Sequence, residues 1–246
     1  MNEALILRFD APLMSFGAVR VDNLGPTLEF PGRSMIAGLL GNALGYDRRD
    51  AARLERLQAR LRYAARCDRP GVALEDFQTV DITLPFMSAP GWTTRGGPEA
   101  RGGGKETLEN LHIRHRTYLA DAVYTVAVAL DPAEESPDLG VLEAALREPE
   151  RPLFIGRKAC LPAAPLLVGR RRAASLVEAL RSEPRPARGR SRQGPLRAWF
   201  QEGEAVDRPL HAIPVTDERD WANEIVVGRR IVLETTIDPP EVGNAS

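Results

Sequence analysis

Six glycines and two prolines fall within residues 88–115, "SAPGWTTRGGPEARGGGKETLENLHIRH", between segments patterned as strands. No helix or interior strand tolerates that density. Each glycine gives up about 1 kcal/mol of helix propensity, and proline lacks the N–H that a ladder needs. The stretch must therefore leave the body of the fold as a long excursion and return to it. An insert of this length inside a compact domain is functional or disordered. On its N-terminal side, "LRYAARC" and "VALEDFQTV" flank "DRPG" and read as a strand–turn–strand hairpin. On its C-terminal side, "RTYLADAVYTVAVAL" (116–130) is rich in β-branched and aromatic residues and reads as a strand.

The rest of the chain supplies helices to cover such a sheet. "ALILRF" (4–9) alternates as a first strand. A long loop leads to "SMIAGLLGNALGYDRRD", a helix with Ser34 as N-cap and Ile36, Leu39, Leu40, Ala43 and Leu44 on one apolar face. Gly38, Gly41 and Gly45 share a side of it, which predicts the close approach of another backbone. "DAARLERLQARL" (50–61) continues as a second helical segment, and "SPDLGVLEAALREP" (136–149) reads as a third, with Ser136 as cap and Pro137 at its first position. The order β-α-β-β-insert-β-α is close to the split βαβ, ferredoxin-like plan that RNA-recognition domains share. "PLLVGRR", "SLVEALRS", "PLRAWF" and "EIVVGRRIVLETTID" read as a smaller, mostly β C-terminal portion. The fold class is thus α+β, with a main domain over 1–167 and the smaller portion over 168–246.

Charge is distributed unevenly. Residues 151–197 hold twelve Arg or Lys against two Glu, a local +10, while residues 198–246 carry −6 and the first 150 carry −5. A basic block between acidic ones holds a polyanion locally while the whole stays near neutral. Within it, "SEPRPARGRSRQGP" (182–195) reads as a solvated Arg/Pro-rich loop. No apolar run approaches the roughly 18 residues of a membrane span, and acids flank the short apolar run at the N-terminus, so a cytoplasmic protein without membrane contact is expected. Cys67 and Cys160 are too few for a disulfide framework and read as reduced, buried thiols.

Dinucleotide, P-loop and serine-hydrolase signatures are absent. His112-x-x-His115 lacks nearby Cys or Asp partners, so neither a metal nor any other cofactor is expected. Lys105, His112, His115 and Tyr118 have the chemistry for metal-independent RNA cleavage by general acid–base catalysis, and equally for binding alone. "RPLFIGRKACLP" (151–162) is sharper: Gly156 lets a backbone approach a phosphate, successive N–H groups form an anion nest, and Arg157 and Lys158 neutralise it. "FPGRS" (30–34) repeats the logic at a helix start, with Arg33 and Ser34 beside the positive end of the dipole.

The strings "LILRFDAPLMSFG", "FPGRSMIAGLLGNALGY", "LRYAARC…DFQTV", "HRTYLADAVYTVAVAL" and "RPLFIGRKACLPAAPLL", in this order over about residues 4–167, resemble the fifth-family Cas proteins of type I-E CRISPR Cascade, within the RAMP superfamily. The resemblance implies a modified ferredoxin-like or RNA-recognition (RAMP) fold with a long β-hairpin thumb, here the insert 88–115, and identifies the 151–162 motif with the RAMP glycine-rich loop. It implies a non-catalytic subunit that caps the backbone filament and grips the 5′ handle of the CRISPR RNA. Its partners would be the adjacent backbone subunit and the large subunit that recognises the protospacer-adjacent motif. RNA contacts would come from Ser15, Phe16, Gly17 and Arg20, from Arg33 and Ser34, from Lys105, His112, Arg114, His115 and Arg116 of the thumb and its exit, and from Gly156, Arg157 and Lys158. Related subunits of type I-C systems process precursor RNA, so a processing endoribonuclease is the alternative. The stretch 182–195 has no counterpart in the resemblance, and both target DNA and solvent remain open as its surroundings.

Overall fold

The structure, a computed structural model, describes residues 2–19, 23–81, 111–187, 194–204 and 209–240. Strand β1 (Asn2–Asp10) buries Leu5, Leu7 and Phe9 on one face and Ala4 and Ile6 on the other. A strand apolar on both faces belongs inside a covered sheet. It pairs antiparallel with β7 (Val123–Leu130) on one side and β8 (Leu167–Ala173) on the other. With β4 (Leu61–Arg69), β9 (Leu196–Gln201), β10 (His211–Val215) and β13 (Arg230–Ile237) they form a seven-stranded sheet of order β10-β13-β9-β4-β7-β1-β8. Residues beyond 168 thus supply both flanks of the sheet that the first half of the chain begins.

The alternation along each strand decides which helix covers which face. The face bearing Leu5, Leu7, Phe9, Tyr63, Tyr124 and Trp199 packs α1 (Arg33–Ala43), α2 (Ala51–Arg60) and α3 (Leu139–Arg147). Trp199 is buried and stacks on Phe30 at 5.4 Å between centroids, a pair worth about 1 kcal/mol beyond its buried area. The other face is floored by Ala4, Ala64, Ala127 and Ala198, and the short α4 (Leu176–Ser182) lies on it through Leu176, Val177 and Leu180. Small residues there let one two-turn helix close the core. Beside them the fully buried Arg66 pairs with Asp68 and donates to the Leu180 and Glu183 carbonyls at 2.6 and 2.7 Å.

A second sheet stands on the first. β5 (Val72–Asp81) and β6 (Leu111–Ala120) run antiparallel from Val72↔Ala120 to Asp81↔Leu111, and two short strands, β2 (Leu13–Met14) and β3 (Leu24–Gly25), flank β6 on its other edge. The excursion read at residue 88 therefore begins at residue 72. β4 and β5 do not pair with each other as the sequence suggests. β4 is buried on both faces and is taken by β7 and β9, whereas the largely exposed β5 is taken by β6. The strand expected over 116–130 likewise divides between β6 and β7 at Asp121, which stands at φ 60°. A two-stranded hairpin, β11 (Glu218–Asp220) and β12 (Ile225–Val227), lies outside both sheets.

Helix boundaries differ from the expected ones at their caps. α1 begins at Arg33 with Gly32 at the N-cap, so Ser34 sits inside the first turn. α3 begins at Leu139, where Asp138 accepts from the Val141 amide at 2.8 Å, so Ser136 and Pro137 precede it. α1 ends in a Schellman motif: Gly45, at φ 78°, donates to the Asn42 carbonyl, and Tyr46 donates to that of Gly41. The close approach predicted at the glycine face is made by side chains. An added Cβ would lie 2.4 Å from Leu54 Cδ2 at Gly41 and 3.2 Å from the Trp221 ring at Gly38. Cys67 and Cys160 are buried and form no disulfide among the described residues, as expected. Among the described residues no helix is long and apolar enough to cross a membrane.

Candidate nucleic-acid interface

The turn that carries the glycine and its two cations closes on itself. Ile155 donates to the Cys160 carbonyl and Cys160 to that of Arg157, both at 2.8 Å. Burial pushes the Cys160 thiol up from its ordinary value. Gly156 stands at φ 97°, and an added Cβ would lie 1.6 Å from the Ser15 carbonyl oxygen. Ser15 in turn donates its amide to the Ile155 carbonyl at 3.1 Å. The glycine does permit a close approach, but the approaching backbone is the protein's own. Arg157 is likewise engaged within the chain. Nη1 donates to the Thr117 carbonyl at 2.9 Å, Nη2 to that of Gly25 at 2.6 Å, and the guanidinium lies 4.7 Å over the Tyr118 ring. Lys158 is exposed beside it.

Next to the turn lies a cleft of about 930 Å³, walled by the loop after β2, by α1 and by the β11–β12 hairpin. Ser15, Gly17, Ser34, Gly156 and Arg157 of the predicted set meet there. Phe16 reaches the cleft lining but buries its ring edge-on against Tyr124 at 4.9 Å, a core contact. The Ser15 hydroxyl is buried and has no hydrogen-bond partner among the described residues. Gly17, at φ 75°, has nothing within 4 Å of an added Cβ, so the loop leaves open space beside it. The far wall is Trp221, held between Gly38 and the Arg219 guanidinium. Glu224 matches the cations here, with Arg48 at 3.0 Å and Arg219 at 3.8 Å.

The start of α1 is not an open anion site. The Asp217 carboxylate accepts from the Arg33 amide at 2.7 Å and its carbonyl from the Ser34 amide at 2.9 Å. The same carboxylate holds Arg230 through two donors at 2.8 and 2.6 Å. The Arg33 side chain pairs with Glu218. The anion that the sequence predicts at this helix dipole is supplied from 184 residues away in the chain.

The hairpin gathers the remaining cations. Arg114 and Arg116 lie opposite Gln78 and Asp76 in the β5–β6 ladder. With Arg157 and Gly25 they line a small hollow of about 150 Å³. Among the described residues Arg114, Arg116 and Lys158 have no ion-pair partner. His115 faces the other way, its Nδ1 at 2.6 Å from Glu75 and its ring edge-on to the exposed Phe77. His112 lies in β6, its side chain outside the described residues, as are Arg20 and Lys105 altogether. Among the described residues no three His, Cys, Asp or Glu side chains gather as a metal site. Asn42, Asp217, Arg219, Trp221 and Glu224 were not legible as site residues. The last four lie in an acidic string, "TDERDWANE", with no local signal that it folds back onto α1.

A family model described as CRISPR-associated protein (Cas_Cas5) matches residues 4–233. The chain is 34% identical over 182 residues to the CRISPR system Cascade subunit CasD of Escherichia coli (strain K12), covering 73% of this chain and 76% of that protein. Two solved structures share the fold at 24% identity. One, described as a CRISPR RNA-guided surveillance complex, superposes with TM-score 0.67 over 98% of this chain and 94% of its own. The other, described as a Cas protein, gives TM-score 0.61 over 96% and 95%. The chain, mixed α+β and mostly sheet, belongs to the CRISPR-associated Cas5 family.

Proposed function

We propose that this protein is a non-catalytic RNA-binding subunit of a Cascade-type CRISPR surveillance complex, and that it grips the 5′ handle of the CRISPR RNA and caps one end of the backbone. The observation that carries the reading is the placement of Arg114 and Arg116, cations without ion-pair partners among the described residues, at the hollow between β3 and β6, which shares Arg157 with the large cleft, while the exposed Lys158 follows Arg157 in the chain. Phosphates would meet these cations. Ser15 and Gly17 offer a buried hydroxyl and open space for a sugar or base edge. Kinship with CasD of Escherichia coli supports assembly with a neighbouring backbone subunit and with a large subunit close to target DNA, in the cytoplasm. The strand order β4-β7-β1-β8, with helices between β1 and β4 and between β7 and β8 on one face, supports the ferredoxin-like RAMP reading, with β5–β6 as the root of its thumb. The test is expression of the chain with its neighbouring genes, followed by sequencing of the RNA that co-purifies. CRISPR RNA with a defined 5′ handle is expected, and RNA of random origin would refute the reading.

One contact favours a second reading. A carboxylate on an imidazole, as Glu75 is on His115, orients a general base. Purified protein incubated with repeat RNA and no metal should leave it intact. A discrete product that His115→Ala abolishes would make the protein a processing endoribonuclease instead.

A further inference from the structure

We infer that Arg157 is a positioning residue that fixes the angle of the β5–β6 hairpin against the body of the protein, rather than a phosphate ligand. The hairpin is not part of the seven-stranded sheet. On the edge of β6 away from β5, β2 and β3 contribute only two register pairs each. Arg157 adds a tie across that junction. Its guanidinium bridges the carbonyl of Gly25, in β3, and the carbonyl of Thr117, in β6, while lying over the ring of the buried Tyr118. The fit is close on the β3 side, where an added Cβ at Gly25 would come 3.1 Å from Nη2. At its other end Arg157 is carried by a turn locked to the body, because Gly156 abuts the Ser15 carbonyl and Ile155 accepts the Ser15 amide. The turn, β3 and β6 are separate in sequence, and one planar fork joins them. A lysine would keep the charge but has neither the two coplanar donor groups nor the stacking face.

The consequence for RNA rests on the reading proposed above, since the hairpin's angle sets where Arg114 and Arg116 present their charge. The geometry itself is tested without RNA. Spin labels at Phe77→Cys and Val141→Cys, both exposed positions, report the hairpin-to-body distance, while the native cysteines are buried. Distances are compared for Arg157 and for the Arg157→Lys and Arg157→Gln variants in the full chain. The distance distribution is expected to widen at least twofold in both variants, with the melting temperature of the Lys variant within a few degrees of the parent. An unchanged width in the Lys variant overturns the inference, whatever the Gln variant does. A second arm measures binding of a synthetic single-stranded RNA carrying the repeat sequence against salt. A positioning residue lowers affinity in the Lys variant, which keeps the charge, and leaves the log–log slope of the Gln variant at the parent value. A slope lower by about 0.7 in the Gln variant, with Lys restoring both slope and affinity, would mark a phosphate ligand and overturn the inference. If no RNA binds at all, the RNA reading fails while the distance measurement still decides the role of Arg157.

Discussion

Gly156 and Ser15 meet backbone to backbone, with the Ser15 carbonyl oxygen 1.6 Å from where any side chain at 156 would begin. Gly156→Ala must therefore break the contact or move the turn, and it also forces alanine to φ 97°. A non-glycine residue in such a region costs about 1–3 kcal/mol before any clash. A loss of about 3 kcal/mol or more in urea unfolding is expected. Ser15→Ala should behave oppositely in the free protein. It removes a buried hydroxyl with no partner among the described residues, so stability should be unchanged or higher by up to about 1 kcal/mol. A clear loss would show that the hydroxyl is satisfied in solution.

Asp217 carries two duties, the first-turn amide of α1 and the charge of Arg230. Asp217→Ala removes the cap and leaves a largely buried guanidinium without its counter-ion. Breaking a buried pair from one side costs about 3–5 kcal/mol. Asp217→Asn keeps an acceptor for the Arg33 amide and loses the charge and one acceptor toward Arg230, so its cost should be smaller, about 2 kcal/mol. Equal losses from the two variants in urea unfolding would mean that the ion pair, and not the cap, dominates.

Those two sites mark where the sequence is legible and where it is not. β1, β7 and the three helices on the larger face announce themselves by period, because the residues that bury them are their own near neighbours. Pairing is not local. Nothing in "LRYAARC" says that its strand will be claimed by residues 123–130 and 198–200 in preference to its neighbour "VALEDFQTV". Charge misleads for the same reason. Arg33 and Arg157 look free in sequence, yet Glu218 and the Gly25 and Thr117 carbonyls, all far along the chain, occupy them. The Arg/Pro-rich stretch is also less detached at its start than its composition suggests, since Arg66 reaches the Glu183 and Pro184 carbonyls. Arg114 and Arg116 look free in sequence and have no ion-pair partner among the described residues, because residues on a hairpin apart from the main sheet keep the surroundings that their pattern implies.

Alkaline titration gives a separate check on the core. Burial pushes the phenols of Tyr63 and Tyr124 above their ordinary value. A group whose folded value is raised contributes stability that is full below its unfolded value, about 10, and is lost as pH climbs toward the folded one. Stability should therefore fall with pH above about 10, and these two phenolates should appear in the ultraviolet spectrum only together with unfolding. Tyr63→Phe should lessen the alkaline slope while costing stability at neutral pH, since Tyr63 donates to the Pro31 carbonyl and accepts from Arg230. Four phenolates forming before the fold is lost would contradict the buried placement.

The last prediction separates cations that serve RNA from cations that serve the fold. Binding of a single-stranded RNA weakens with salt in proportion to the phosphates neutralised, about 0.7 in log–log slope for each. Arg114 and Arg116 have no counter-ion among the described residues, so Arg114→Ala and Arg116→Ala should each lower the slope by about 0.7 and leave thermal stability within about 0.5 kcal/mol of the parent. Arg33 is neutralised by Glu218, so Arg33→Ala should leave the slope unchanged. The ladder places Arg114 and Arg116 two residues apart on one face of β6, roughly 7 Å, close to the spacing of successive phosphates in an extended strand. The double variant should then lower the slope by about 1.4, the two contacts being separate. A slope that responds to Arg33 as much as to Arg114 would mean that RNA is drawn by the general field of the protein, and the hairpin would lose its claim to be the gripping surface.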